Sequence, residues 1–158
     1  MEEKKIEFTY KVLKTEELSA EDAYLRRVVL ESSQNAYAPY SKYSVGAAVV
    51  FDGGGHVKGC NQENAAYPLG ICAERVALNS VATIFPNITL SALGVIAVKD
   101  GDIQPSVSPC GGCRQVLLEA EQRQDGKDIR VLLFGRDETI IVPSAKNLLP
   151  LSFGKMNL

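Results

Sequence analysis

Two cysteine motifs in the middle of the chain have the residue types and the spacing of a metal site. In the first motif one residue separates Cys72 from Glu74, and in the second two glycines separate Cys110 from Cys113. Zinc binds thiolates readily, and a catalytic zinc ion uses three protein ligands and leaves the fourth position to water. A carboxylate two residues from a ligand can exchange protons with that water. The motifs therefore predict a hydrolytic zinc centre with Glu74 as its catalytic acid and base.

The remaining potential ligands are expected to lie elsewhere. Cys60 falls on a predicted strand, and His56, the only histidine, follows a run of three glycines that is typical of an exposed turn. Three thiolates would give the centre a net negative charge, which the positive ends of helices and the neighbouring Arg75 can offset. We therefore predict Zn²⁺ as the cofactor, with three ligands: Cys72, Cys110 and Cys113.

Helices and strands alternate around these motifs. Ser19 and Asp22 resemble a capping box, with aspartate where glutamate or glutamine is usual, and they begin the first helix. The cysteine motifs stand at the starts of two further helices, residues 71–84 and 111–122, and a short last helix is predicted over 144–149. The predicted strands are residues 45–51, 56–60, 93–98, 129–134 and 139–142. This alternation predicts an α/β fold, a three-layer α/β/α sandwich with a mixed sheet of about five strands.

The length and charge of the chain indicate its domain organisation and the kinds of partner it can have. Its 158 residues suit a single domain, which we place at residues 18–158 behind a polar N-terminal arm, residues 1–17. The formal net charge of −2 and the lack of a large basic cluster argue against nucleic acid as a partner. No apolar leader and no membrane span are visible in the sequence. We therefore expect a cytoplasmic protein whose thiols stay reduced.

Several segments resemble the small cytidine deaminases, of the homotetrameric type with three cysteine ligands to zinc. They lie at residues 38–41, 45–48, 59–65, 67–75, 108–115 and 148–150, and the resemblance extends from about residue 36 to residue 154. The two cysteine motifs match the known signature of zinc deaminases. The resemblance implies the deaminase fold and the hydrolysis of cytidine and 2′-deoxycytidine to uridine and 2′-deoxyuridine with release of ammonia, a reaction of pyrimidine salvage.

The resemblance also assigns residues to the substrate. Asn61 and Glu63 match the segment that holds the ribose in this family, and an amide and a carboxylate suit hydrogen bonds to sugar hydroxyls. Tyr43 stands where the family usually has a phenylalanine against the pyrimidine, which leaves the shape of that part of the pocket open. By the same analogy the backbone N–H of Ala73 contacts the substrate, and Cys60 is a small buried residue rather than a ligand.

The homotetramer that the resemblance implies shares each pocket between subunits. The matching positions are Ala65 and Tyr67 near the substrate and Phe153, whose ring would cap the base. The residues alone leave packing in the C-terminal core as an equal alternative for Phe153. The implied partners are a small nucleoside and further copies of this chain, without nucleic acid and without a membrane.

Three other functions compete with this hypothesis. A deaminase that acts on a base within RNA or DNA would need contacts to flanking nucleotides, which the acidic balance of the chain disfavours. An aminonucleoside antibiotic as substrate is disfavoured by the pair of Asn61 and Glu63, which suits a ribose. A structural zinc module would need a fourth protein ligand, for which Cys60 is the spare thiol.

Overall fold

A seven-stranded sheet lies at the centre of the computed structural model, which describes residues 1–158. Its strands are β1 (Lys11–Lys14), β2 (Tyr43–Phe51), β3 (His56–Cys60), β4 (Leu90–Lys99), β5 (Asp102–Ile103), β6 (Arg130–Phe134) and β7 (Glu138–Val142). Their order across the sheet is β1-β7-β6-β4-β2-β3, and β5 pairs with β4 outside this path. Strands β4 and β6 run parallel, whereas all other neighbours are antiparallel, so the sheet is mixed.

Helices cover both faces of this sheet: α1 (Ala20–Ser33), α2 (Ala73–Ile84) and α3 (Gly111–Gln122). Successive residues of a strand point to opposite faces, so Ile96 of β4 packs in the core beneath α1 while Val95 packs in the core beneath α2 and α3. Val29 of α1 and Leu117 of α3 are fully buried in these two cores. The predicted three-layer α/β/α arrangement with a mixed sheet is confirmed.

The sheet has two strands more than predicted, and both are short. Strand β5 has two residues, and β1 has four. Strand β1 lies within the segment that we expected to be a polar arm, and it pairs antiparallel with β7 at the edge of the sheet. Leu13 is the one β1 residue packed against the core. Its other side chains, two lysines and Val12, face solvent.

Local capping signals explain where the helices begin. The hydroxyl of Ser19 accepts a hydrogen bond from the backbone N–H of Asp22 at 3.1 Å, which is the predicted N-cap of α1. Helix α3 begins where it was predicted, whereas α2 begins two residues later because Cys72 has an extended backbone and is the N-cap. Cys110 has the same position before α3. Each of the two cysteine motifs therefore starts at a helix N-cap.

Helix α2 approaches the sheet closely over Gly59 of β3. A Cβ atom on Gly59 would collide with the backbone of Ala73 and Ala77. Glycine therefore allows the first turn of α2, and Cys72 with it, to lie directly on the sheet.

Four 3₁₀ turns connect the remaining elements: Thr15–Glu17, Tyr67–Leu69, Ala145–Leu148 and Lys155–Asn157. The third of these turns stands where a short helix was predicted. A bilayer-spanning helix is absent, since none of the helices combines the required length with the required hydropathy.

Candidate active site

The N-termini of α2 and α3 bring the three predicted cysteine ligands together. The Sγ atoms of Cys72 and Cys110 are 3.9 Å apart, those of Cys110 and Cys113 are 3.5 Å apart, and all three lie within 4.8 Å of one another. Tetrahedral zinc with Zn–S bonds of about 2.3 Å places neighbouring sulfurs about 3.8 Å apart. The cluster therefore fits zinc in its donor atoms and in its dimensions.

The three-sulfur cluster would also be stabilised electrostatically by a bound cation. The nearby Cys113 thiol, together with contacts from Arg75 and Cys110, lowers the pKa of the Cys72 thiol to about 5. The nearby Cys72, together with burial, raises the pKa of Cys113. A second thiolate beside the first is unfavourable unless a positive charge lies between them. A divalent metal ion supplies that charge, so the chemistry of the donor set agrees with zinc.

Arg75 lies where the sequence analysis expected a neighbouring positive group. Its Nη2 atom is 3.8 Å from the Sγ of Cys72, and this contact raises the pKa of the guanidinium. Its Nε atom is buried without a hydrogen-bond partner. The side chain thus directs its charge at the cluster instead of forming an ion pair with a carboxylate.

Glu74, the second residue of α2, is buried beside the cluster. Its exposed fraction is 5 %, and this burial raises the pKa of its carboxyl group. The nearby Cys72 thiolate raises the pKa further, whereas the neighbouring Cys113 thiol lowers it. A carboxyl group in this setting can take up a proton and release it again next to the sulfurs.

A cavity of about 800 Å³ opens over Glu74 and the cluster. The residues that line it are Tyr40, Ser41, Tyr43, Val45, Asn61, Gln62, Glu63, Asn64, Tyr67, Val95, Val107, Ser108, Cys110 and residues 70–74. Two carboxylates, Glu63 and Glu74, line it, but no lysine or arginine does. The volume suits a small molecule. A second cavity of about 650 Å³, at the C-terminal ends of α2 and α3, contains neither cysteine nor glutamate.

Asn61 holds the beginning of β2, which forms part of the cavity wall, in place. Its Oδ1 accepts a hydrogen bond from the backbone N–H of Val45 at 2.8 Å, and its Nδ2 donates to the carbonyl of Tyr43 at 2.9 Å. One N–H and one lone pair of the amide remain free for a ligand. Asn61 therefore supports the pocket and can also bind in it.

Glu63 fixes the loop that precedes β2. Its carboxylate accepts hydrogen bonds from the hydroxyl of Ser41 and from the backbone N–H of Tyr40, the latter at 2.9 Å. The hydrogen bond from the Ser41 hydroxyl lowers the pKa of Glu63. This residue consequently places a negative charge at the wall of the cavity at neutral pH.

Tyr43 and Ala73 line the same cavity from opposite elements. Tyr43 begins β2, and partial burial raises the pKa of its hydroxyl, which no side chain or backbone group of the chain contacts by a hydrogen bond. Ala73 is the first residue of α2, so its backbone N–H has no acceptor within the helix. The Tyr43 hydroxyl and the Ala73 backbone N–H can therefore both form hydrogen bonds with a bound molecule.

The three positions expected at a subunit boundary are all exposed. Tyr67 lines the rim of the cavity, is 73 % exposed and packs edge-on against Tyr40 with ring centroids 5.9 Å apart. Ala65 and Phe153 do not line the cavity of their own chain. The Phe153 ring is 61 % exposed, while its carbonyl accepts from Nε2 of Gln115 at 2.9 Å. This exposure excludes the alternative that the Phe153 ring packs in the core.

Arg114 is a positioning residue that the sequence analysis did not identify. Its Nε donates to the carbonyl of Pro109 at 2.8 Å and its Nη1 donates to the carbonyl of Leu148 at 3.0 Å. It thus ties the loop before Cys110 to the C-terminal segment. Proximity to the cysteine motif was its only signal in the sequence, since Leu148 is distant along the chain.

Cys60 and His56 are not members of the three-sulfur cluster, as expected. The Sγ of Cys60 contacts Nε2 of Gln62 at 3.3 Å. His56 is half-buried as the first residue of β3 and packs edge-on against Tyr24, instead of lying in an exposed turn. The cluster therefore offers three cysteine sulfurs without a fourth cysteine or a histidine beside them, which argues against a closed structural zinc site.

Comparison with known proteins agrees with this geometry. Residues 19–124 match the model of the cytidine and deoxycytidylate deaminase zinc-binding region. The cytidine deaminase of Sporosarcina psychrophila is 41 % identical over 98 residues, which are 60 % of this chain and 68 % of that protein. A cytidine deaminase from Mycobacterium tuberculosis is 40 % identical over 95 residues, with coverages of 60 % and 68 %.

Solved structures give the same result for the fold. The crystal structure of cytidine deaminase from Burkholderia pseudomallei has a TM-score of 0.70 and 37 % identity, covering 83 % of this chain and 98 % of that one. The Mycobacterium tuberculosis enzyme has a TM-score of 0.67 and 32 % identity, with coverages of 86 % and 99 %. Together with the three-sulfur cluster, these similarities show that the chain belongs to the zinc-dependent cytidine and deoxycytidylate deaminase family.

Proposed function

We propose that this chain is a cytidine deaminase that hydrolyses the C4 amino group of free cytidine and 2′-deoxycytidine. The products are uridine or 2′-deoxyuridine and ammonia. The observation that carries the proposal is the buried carboxyl group of Glu74 beside three cysteine sulfurs, at the base of a cavity of about 800 Å³. Membership of the family supports the same activity.

The chain's own residues perform the proton transfers. Cys72, Cys110 and Cys113 would hold the metal, and bound zinc would act as a Lewis acid that lowers the pKa of water. Glu74 accepts a proton from the attacking water and delivers it to N3 as the C–O bond forms at C4. Glu74 then takes the remaining proton from the new hydroxyl on C4 and delivers it to the amine, so that the C4 carbonyl forms while the C4–N bond breaks. One water is consumed and one ammonia leaves, so atoms and charge balance.

The charges in the cavity favour a nucleoside over a nucleotide. No lysine or arginine lines the cavity, and Glu63 adds a negative charge to its wall. A phosphate in this cavity would lose hydration without gaining a lysine or arginine from the cavity wall as its partner. The same argument disfavours deoxycytidylate and a cytosine within RNA or DNA.

Four groups are proposed to hold the nucleoside. The free hydrogen-bonding capacity of Asn61 and the carboxylate of Glu63 bind the sugar hydroxyls. The unpaired backbone N–H of Ala73 contacts the base, and the ring of Tyr43 packs against it. All four line the one cavity, which supports this assignment.

We further propose a cytoplasmic homotetramer in which neighbouring copies complete each pocket. The exposure of Tyr67 and Phe153, at 73 % and 61 %, supports a contact between subunits at these rings. Ala65 lies beside Tyr67 in sequence and is also exposed. The four cysteines form no disulfide, which is typical of a reducing compartment.

The decisive experiment compares Glu74→Gln with the unchanged chain. Glutamine keeps the size of the side chain but cannot carry the proton, so we expect turnover of cytidine, followed by ultraviolet absorbance, to fall by about 10²–10⁴-fold. Bound zinc, measured by mass spectrometry of the metal, should be unchanged. Glu119→Gln, on the exposed side of α3, is the matched control and should retain full activity.

Substrate class is tested with the same assay. Cytidine and 2′-deoxycytidine should react, whereas deoxycytidylate and a cytosine-containing oligonucleotide should react much more slowly. Near-full activity of Glu74→Gln would contradict the acid–base role. A preference for the phosphorylated compounds would contradict the nucleoside assignment.

A further inference from the structure

The N-terminal segment, defined as residues 6–12, has an apolar face without a partner in the chain. Ile6, Phe8, Tyr10 and Val12 alternate with polar residues and are 44–59 % exposed. The Phe8 and Tyr10 rings are neighbours, with centroids 6.3 Å apart. Strict alternation is the pattern of a β-strand with one apolar face. Residues 6–10 nevertheless belong to no strand.

The backbone of this segment is equally without partners. Residues 6–10 take part in none of the turn, loop or cap hydrogen bonds of the chain, and only Lys11–Lys14 pair with β7. Strand β1 is the last strand at its end of the sheet, so its outer edge is free. A free edge that continues into an alternating segment can accept another strand.

The side chains of the segment are complementary to themselves when two copies run antiparallel. With Thr9 opposite Thr9, Ile6 faces Val12 and Phe8 faces Tyr10, so apolar residues meet on one face. On the other face Glu7 of each copy meets Lys11 of the other, which places two opposite-charge pairs around a twofold axis.

We propose that the N-terminal segment pairs antiparallel with the same segment of a second copy of this chain, with the twofold axis at Thr9. The pairing satisfies the unpaired backbone groups and joins the two sheets edge to edge. Each apolar side chain then lies opposite another apolar side chain rather than water.

Other registers fit less well. A shift by one residue places apolar residues opposite polar ones along the whole segment. A shift by two residues preserves apolar pairs but places Lys5 opposite Lys11 in one direction and Ile6 opposite Lys14 in the other. Within its own chain Glu7 contacts Nζ of Lys5 at 2.6 Å, but both side chains are at least 75 % exposed. Such an exposed ion pair contributes little to stability, so Glu7 is available to form an ion pair with Lys11 of the second copy.

This surface is separate from the proposed active site. Strand β1 and strand β3 are at opposite ends of the sheet, and the cavity is lined from β2 and the segment after β3. The N-terminal segment also lies outside residues 19–124, which match the family model. The pairing is therefore independent of the deaminase chemistry and of any contact through Tyr67 or Phe153.

A cysteine at the twofold axis tests the proposal directly. Opposite residues of antiparallel strands have Cα atoms about 4.5–5.5 Å apart, within reach of a disulfide. Thr9→Cys should therefore form a cross-linked dimer on mild oxidation of the zinc-loaded protein, visible on a non-reducing gel. Glu16→Cys, exposed and just beyond the pairing segment, is the matched control and should cross-link no faster than the unchanged chain.

Charge reversal then tests the register. Adding Glu7→Lys to Thr9→Cys places lysines opposite each other twice and should slow cross-linking about tenfold. Adding Lys11→Glu as well restores both opposite-charge pairs, now with lysine at position 7 and glutamate at position 11. The cross-linking rate should then return to that of Thr9→Cys alone. The proposal is overturned if Thr9→Cys cross-links no faster than the control. It is equally overturned if Glu7→Lys leaves the rate unchanged or Lys11→Glu fails to rescue it.

Discussion

Tyr43 is the residue at which the sequence resemblance implies a departure of this pocket from the family pattern. A phenylalanine would place only an aromatic face at the cavity wall, whereas tyrosine adds a hydroxyl. That hydroxyl has no hydrogen-bond partner from the chain, and burial raises its pKa, so it is a neutral donor throughout the physiological range. The ring itself is held by the main chain of β2, whose carbonyl at Tyr43 is bound by Asn61. The position of the ring is therefore independent of its hydroxyl.

Removal of the Tyr43 hydroxyl should consequently change little. For Tyr43→Phe we expect kcat/KM for cytidine within about threefold of the unchanged chain, because a partnerless hydroxyl contributes little net free energy. For Tyr43→Ala we expect a fall of about tenfold, mainly in KM, because the aromatic packing against the base is lost. Steady-state kinetics with cytidine measures both. A large loss in Tyr43→Phe would instead assign the hydroxyl a direct contact with the substrate.

The helices show which parts of this fold are encoded locally. The N-cap of α1 and the start of α3 were predicted because their signals lie within four residues of the helix ends. The cysteine cluster could be anticipated because the two motifs together match the known signature of zinc deaminases. Strand β1 could not be predicted from the sequence, because it is defined by its pairing with β7, which lies more than 120 residues away. Arg114 and Leu148 are likewise brought together only by the folded chain.

Glu121 at the end of α3 is the clearest case of a role that no local pattern indicates. In sequence it resembles an ordinary surface glutamate, yet it is 5 % exposed. Its carboxylate accepts hydrogen bonds from the backbone N–H of Ile129 at 2.7 Å, of Ala145 at 2.8 Å and of Lys146 at 3.1 Å, and from the hydroxyl of Ser144 at 2.8 Å. It therefore joins α3 to the start of β6 and to the turn that follows β7.

Loss of this carboxylate should destabilise the whole domain. We expect Glu121→Ala to lower the free energy of unfolding by about 3 kcal/mol, because several buried donors lose their acceptor at once. Glu119→Ala on the same helix removes only an exposed ion pair with Arg123 and should cost less than about 0.5 kcal/mol. Denaturant unfolding followed by circular dichroism measures both. Equal effects of the two substitutions would show that the hydrogen bonds of Glu121 do not support the fold.

At the scale of the whole molecule, the two ends of the sheet carry different proposed binding surfaces. The β2–β3 end supports the cavity and the exposed Tyr67 ring at its rim, whereas the β1 end carries the self-complementary segment. Between them α2 and α3 share one hydrophobic core, and their N-termini converge at the cysteine cluster. A metal ion at this point therefore connects two helices that are separated in sequence by β4 and β5.

Zinc should for this reason stabilise the fold as well as supply the chemistry. Cys72 and Cys110 are 38 residues apart, so an ion that binds both closes a long loop. A ligand present at about 1,000 times its Kd stabilises the folded state by about 4 kcal/mol, and a strong chelator should remove that amount, seen as a lower Tm. In Cys113→Ser, which lacks one ligand, the chelator should have little further effect. In Cys60→Ser, whose sulfur lies outside the cluster, the full decrease in Tm should remain. Loss of the chelator effect in Cys60→Ser would make Cys60 a fourth ligand and turn the centre into a structural one.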